Sequence, residues 1–180
     1  ANPERVVTKI GYASGDWTGT ALVTYTYFDN AANRMESKTM SSADIYGNDY
    51  YLFKDEGLYG ADNPATTVDE RYGRVEKSRR VTADQDNCLS HKYFYQAGTG
   101  RLWYKEGYTA NDWTGLKASY YYIDEAFYTD PVTGATYGRL DKISFTTADS
   151  DGCRSYRYAY SAANPERVVT KIGYASGDWT

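Results

Sequence analysis

The chain has 180 residues, in which Val, Ile, Leu and Phe together make only 26, while Tyr alone supplies 21 and Trp another four; 24 acidic against 20 basic residues leave a net charge of −4. So small an aliphatic share signals disorder only when net charge is high and aromatics are scarce, so the composition excludes a disordered chain. It also excludes a basic footprint for nucleic acid, and no apolar run approaches the roughly 18–20 residues of a membrane helix. A Tyr ring buries area while its hydroxyl stays wet, which implies thin, Tyr-lined cores.

Residues 1–18, ANPERVVTKIGYASGDWT, recur unchanged as residues 163–180, which sets a period of 162 residues. The simplest reading is one full period, 1–162, followed by the start of the next identical period at 163–180. The chain begins Ala-Asn-Pro without a Met or a visible signal peptide, as expected of an excised slice of a longer tandem array. An engineered overlap or a circular permutation is the rival reading.

A weaker repeat divides that period into five units, each opened by Arg and an apolar residue. The first, 5–33, opens at Arg5-Val6, turns at Ser14-Gly15-Asp16 and returns through Tyr25-Thr26-Tyr27-Phe28-Asp29. The second, 34–73, opens at Arg34-Met35, turns at Asn48-Asp49 and carries an extra polar segment over 57–70. The third, 74–100, opens at Arg74-Val75 and returns through Tyr93-Phe94-Tyr95. The fourth, 101–138, opens at Arg101-Leu102, returns through 120–124 and carries an extra segment over 129–136. The fifth, 139–166, has its first strand over 139–145, a turn at Asp151-Gly152 and a return through Tyr158-Ala159-Tyr160.

Alternation with aromatic and β-branched residues is the strand signal, and Gly, Asn and Asp clusters mark turns. Each unit therefore reads as a β-hairpin. A lone hairpin is marginal in water, so hairpins must stack, each touching mainly its neighbours. The expected fold is all-β: tandem hairpins in a spiralling strip or solenoid-like filament, with the extra segments projecting from one side.

Chemistry is sparse. The one histidine, His91, stands in the third unit where the fifth has Tyr156. Cys88 and His91 are three apart, which on a strand places them on opposite faces, and a zinc site wants four recognisable ligands. No catalytic residue, confident metal site or cofactor is expected. Cys88 and Cys153 hold matching positions in units three and five; a disulfide between them requires Cα atoms within about 7 Å, and free buried thiols are the alternative. Asp84 with Asp86, and Asp149 with Asp151, look like the start of a calcium loop, but position twelve holds Tyr95 or Tyr160 instead of Glu. An Asx-type turn accounts for the same residues. Trp17 and Trp113 share Asp-Trp-Thr-Gly turns that can present a ring to sugars, against packing over their own hairpins. The acidic pairs Asp55-Glu56, Asp69-Glu70 and Asp124-Glu125 read as solvated loop acids.

The units resemble the YD repeats of the Rhs and teneurin families, whose motif runs roughly Tyr-x-Tyr-Asp-x-x-Gly-Arg-Leu. The matching stretches are Tyr93-Phe94-Tyr95 through Gly100-Arg101-Leu102, Tyr137-Gly138-Arg139-Leu140 and Tyr72-Gly73-Arg74-Val75. The resemblance implies β-hairpins added side by side into a spiralling strip, with no catalytic residues of their own. The expected protein is a non-enzymatic structural repeat of an extracellular or cell-surface filament whose partner is itself. A carbohydrate-binding stalk or adhesin, and a segment of an Rhs-type toxin shell, are the alternatives. Nucleic acid and membrane insertion are not expected.

Overall fold

Runs in which aromatic and β-branched residues alternate with polar ones fit a pleated, half-buried surface, and these runs become strands. The computed structural model describes residues 8–14, 18–29, 32–58, 69–130 and 136–180, with only the backbone of 69–71. The chain divides into two compact halves, residues 1–82 and 83–180. The fold is all-β and antiparallel in its main ladder, with no helix among the described residues.

The N-terminal half contains β1 (Thr8–Tyr12), β2 (Ala21–Tyr27), β3 (Arg34–Met40), β4 (Asn48–Phe53), β5 (Asp69–Tyr72) and β6 (Val75–Arg80). Its antiparallel order is β1-β2-β3-β4-β6, and β5 lies parallel to the start of β3. The C-terminal half contains β7 (Ser90–Tyr95), β8 (Leu102–Tyr108), β9 (Leu116–Tyr122), β10 (Tyr128–Thr129), β11 (Thr136–Tyr137), β12 (Leu140–Phe145), β13 (Ser155–Tyr160) and β14 (Val168–Tyr174). Its order is β7-β8-β9-β12-β13-β14, with β11 paired to β10 and, in parallel, to β8.

Register repeats from pair to pair. Tyr12 faces Ala21 and Gly11 faces Val23 across β1/β2, with a bulge between Gly11 and Tyr12. Tyr108 faces Leu116 and Gly107 faces Ala118 across β8/β9, with a bulge at the same step. Across β2/β3, Tyr25 faces Lys38 and Tyr27 faces Met35; across β9/β12, Tyr120 faces Ile143 and Tyr122 faces Leu140. Bulges are placed features that add local twist, so their recurrence at matching positions marks one structural unit used repeatedly.

Both extra segments return beside the strand that opened their own unit: Met35 pairs with Tyr72, and Leu102 with Tyr137. The glycine that follows each of these tyrosines is forced by space. A Cβ on Gly73 would overlap the carbonyl oxygen of Lys54, and one on Gly138 that of Ile123. Residues 59–68 and 131–135 of these segments lie outside the described residues. The expected turn at Asn48-Asp49 is corrected: both residues begin β4, and the chain reverses earlier, where Asp44 caps the turn and Gly47 adopts φ 83°.

The cores are thin. Tyr27, Met35, Tyr51, Phe53 and Val75 are buried in the N-terminal half. In the C-terminal half Cys88, Ala118, Tyr120, Ile143 and Tyr156 form one cluster, flanked by Tyr122, Leu140, Phe145 and Tyr158. The most deeply buried side chains are small: Cys88, Ser78, Ser90 and Ser155. A buried hydroxyl needs a partner, and Ser90 donates to the carbonyl of Ala110 at 2.6 Å as Ser155 does to that of Ser176 at 2.7 Å.

Candidate functional site

Three hairpin turns share one construction around an aspartate. Oδ1 of Asp44 accepts the backbone N–H of Tyr46 and Asn48, Oδ1 of Asp84 those of Asp86 and Cys88, and Oδ1 of Asp149 those of Asp151 and Cys153. This is the Asx-turn device, and each turn closes through a left-handed residue: Gly47 at φ 83°, Asn87 at 61° and Gly152 at 74°. The second carboxylate oxygen serves the strand that follows. Tyr51 donates its hydroxyl to Asp44, Tyr156 donates to Asp149 at 2.5 Å, and His91 Nε2 stands 3.0 Å from Asp84 Oδ2. His91 therefore takes at its turn the place that a tyrosine hydroxyl takes at the other two.

Of the carboxylates expected to start calcium loops, those of Asp84 and Asp149 are thus engaged in turns, while Asp86 and Asp151 give their backbone N–H groups to them. Asp86 in addition accepts the hydroxyl of Tyr120 at 2.6 Å.

The expectation that Cys88 and His91 face opposite sides is corrected. Strand alternation fails because Cys88 lies in the turn and only residues from Ser90 onward belong to β7. Donor atoms of Asp84, Cys88 and His91 all lie within 4.8 Å of one another, a set that suits a borderline-soft divalent ion with a further position open. Electrostatics set the terms. Burial pushes the Cys88 thiol up to about 11, so it is a protonated thiol at neutral pH, and a metal would have to displace that proton. Burial also acts to raise Asp84, but the His91 hydrogen bond and the N–H groups of Cys88 and Asp86 outweigh it and hold the carboxyl at about 2. Asp149 is held low chiefly by Tyr156.

Cys88 and Cys153 are both free thiols, and each packs against a glycine of the neighbouring strand. A Cβ on Gly107 would come within 2.5 Å of Cys88 Sγ, and one on Gly173 within 2.5 Å of Cys153 Sγ.

Trp17 lies outside the described residues. Its repeat copy, Trp179, is half-buried: the indole N–H donates to the carbonyl of Ile143 at 3.1 Å, the ring meets Tyr121 edge-on at 5.2 Å, and Lys142 Nζ stands 5.1 Å from its centroid. Trp113 is also half-buried and adopts nearly the same backbone conformation, φ 60° against 62° for Trp179.

Two of the acidic pairs read as solvated loop acids do lie in loops with their aspartates exposed, and they also carry ion pairs. Asp55 pairs with Arg34 and Asp124 with Arg101, both at 3.2 Å. The adjacent glutamates grip the arginine that opens the following unit: Glu56 holds Arg74 through two bonds, and Glu125 holds Arg139 at 2.5 and 2.8 Å. One Asp-Glu dipeptide therefore ties its own unit to the next. The residue types were visible in the sequence, but each dipeptide stands well before the Gly-Arg it serves, Gly73-Arg74 or Gly138-Arg139. Asp69 and Glu70 have no described side chains.

The remaining candidate surface is made of strand edges. Among the described residues β1 pairs with β2 alone and β14 with β13 alone. Comparison with protein-family models and with curated protein sequences finds no match.

Proposed function

We propose that the chain is a non-enzymatic structural repeat whose β-hairpins continue from one 162-residue period to the next, building a spiralling, YD-like strip or filament at an extracellular surface. The observation that carries this reading is the coincidence of a verbatim sequence period with a recurrent strand register. The Tyr12–Ala21 step of β1/β2 and the Tyr108–Leu116 step of β8/β9 match, bulge included. Identical junctions applied repeatedly generate an open helical polymer. Aromatic ladders across strands support it: Phe94 meets Tyr104 at 5.0 Å and Tyr104 meets Tyr121 at 4.9 Å, pairs worth about 0.2–1 kcal/mol each. The chemistry present is used structurally, with the aspartates capping turns and the Asp-Glu dipeptides stapling units.

Imaging tests the reading. A chain of several periods should appear in electron micrographs as a rod that lengthens in equal steps with each added period. Its fibre diffraction should show the inter-strand spacing of roughly 4.8 Å. Globular particles of constant shape, whatever the number of periods, would overturn it.

A further inference from the structure

Two of the aspartate turns are built on one frame and hold different chemistry. Strands β7/β8 and β13/β14 share a register: Ser90 faces Tyr108 and His91 faces Gly107, as Ser155 faces Tyr174 and Tyr156 faces Gly173. Gly173-Tyr174 ends the Thr-Lys-Ile-Gly-Tyr strand that β1 repeats. On this frame Asp84, Cys88 and His91 answer Asp149, Cys153 and Tyr156, so the third of these groups alone changes, from a phenol to an imidazole. A neutral imidazole is the commonest metal ligand among side chains. The Tyr156 phenol instead gives its proton to Asp149, a hydrogen bond that raises its pKa and keeps it protonated.

The geometry at the third turn goes beyond a replaced hydroxyl. Cys88 is fully buried and His91 nearly so, and the donor atoms of Asp84, Cys88 and His91 lie within 4.8 Å of one another. Among the described residues no other three such donors gather in this way. Ligand bonds of about 2.0–2.3 Å at tetrahedral angles place donor atoms roughly 3.3–3.7 Å apart. His91 Nε2 already stands 3.0 Å from Asp84 Oδ2, so an ion needs movements of about an ångström.

The surroundings hold the donors in place. Asp84 Oδ1 accepts the N–H groups of Asp86 and Cys88, which fixes the carboxylate and leaves Oδ2 for the site. Such outer bonds orient metal ligands. A Cβ on residue 107 would come 2.5 Å from Cys88 Sγ and 3.5 Å from His91 Cδ2, so the thiol and the imidazole fill space that only a glycine leaves. Gln85, Asp86 and Asn87 of the same turn line a cavity of about 640 Å³, which brings solvent to it.

We propose that Asp84, Cys88 and His91 bind one borderline-soft divalent cation of the Zn²⁺ class per chain, with water as the fourth ligand. Cys88 binds as the thiolate, and its proton passes to solvent as the ion enters. The site lies within residues 84–107 and is independent of how one period meets the next.

The test titrates the full 180-residue chain, with both cysteines kept reduced, first with Co²⁺ and then with Zn²⁺. Co²⁺ should bind at one ion per chain and show the near-ultraviolet charge-transfer band of a thiolate–cobalt bond, which Zn²⁺ removes by displacement. Cys88→Ser and His91→Tyr should each abolish the band. Each should also weaken Zn²⁺ binding at least about tenfold, the least that loss of an outer-shell partner costs. Cys153→Ser should leave both readouts unchanged. Saturating Zn²⁺ should raise the melting temperature of the unsubstituted chain and not that of His91→Tyr. Because His91→Tyr reproduces the Tyr156 turn, its circular dichroism should match that of the unsubstituted chain, which separates loss of a ligand from loss of the fold. A band that survives His91→Tyr, a band that Cys153→Ser removes, or two ions per chain overturns the proposal. So does the absence of any band with Co²⁺ at about 1 mM, a binding free energy too small for a built site.

Discussion

At the residue scale, the three aspartate turns turn one histidine from an oddity into a substitution. His91 is buried at 3% exposure and occupies the place of Tyr51 and Tyr156 beside the second oxygen of its aspartate. His91→Tyr should therefore keep the fold within about 1 kcal/mol, while His91→Ala, which leaves that oxygen without its partner, should cost about 1–3 kcal/mol in urea unfolding. The carboxyl of Asp84 is held at about 2 in the fold, below the ordinary 3.8. A depressed carboxyl contributes stability that is fully present above its unfolded pKa and lost as pH falls through the folded one. Unfolding followed from pH 5 to pH 2 should show a loss of about 1–2 kcal/mol that Asp84→Asn abolishes, after allowance for solvent screening. The turns at Asp84 and Asp149 were legible in the sequence as Asx-type turns, whereas the one at Asp44 was not, because the turn-forming pair Asn48-Asp49 beside it belongs to β4. The Asp84–Cys88–His91 grouping was not legible either, because alternation was applied one turn too early: Cys88 precedes β7.

At the element scale, hairpins are tied by features that lie far apart in sequence. Glu125 and Arg139 are 14 residues apart and Arg101 and Asp124 are 23 apart, so no local pattern joins them until the register is known. Arginine openers and acidic dipeptides were each visible, and their union was not. The Tyr-Gly-Arg motif had a physical cause that composition could not give, since the carbonyl oxygen of Ile123 occupies the place that a Cβ on residue 138 would take. Gly138→Ala should destabilise the C-terminal half by about 2–4 kcal/mol through overpacking against backbone. Glu125→Gln, which keeps the shape and removes the charge from a partly exposed pair, should cost about 1 kcal/mol. Denaturant titration of the two variants should rank them in that order. The reverse ranking would place the unit junction in the ion pair and not in the backbone crossing.

At the scale of the whole molecule, the shortage of aliphatic residues has its counterpart in cores whose deepest side chains are Cys and Ser. Such cores accompany strands paired side by side in antiparallel order, so strand content could be read from composition and alternation, and edge pairing could not. Stability in such arrays sums unit terms and nearest-neighbour terms. Chains of one, two and three periods should therefore melt at successively higher temperatures, with the increment shrinking at each step, as scanning calorimetry would show. Equal melting temperatures for all three would mean that periods fold independently.

One consequence follows from the matched register of the β8 and Thr-Lys-Ile-Gly-Tyr strands. If every boundary between periods is chemically the same, inserting or deleting 162 residues in a gene disturbs no contact that folding depends on. Long identical tracts are also where recombination misaligns. Copy number then becomes a quantity that selection for stability barely constrains, free to vary between lineages and to be set by whatever reach the assembly must have.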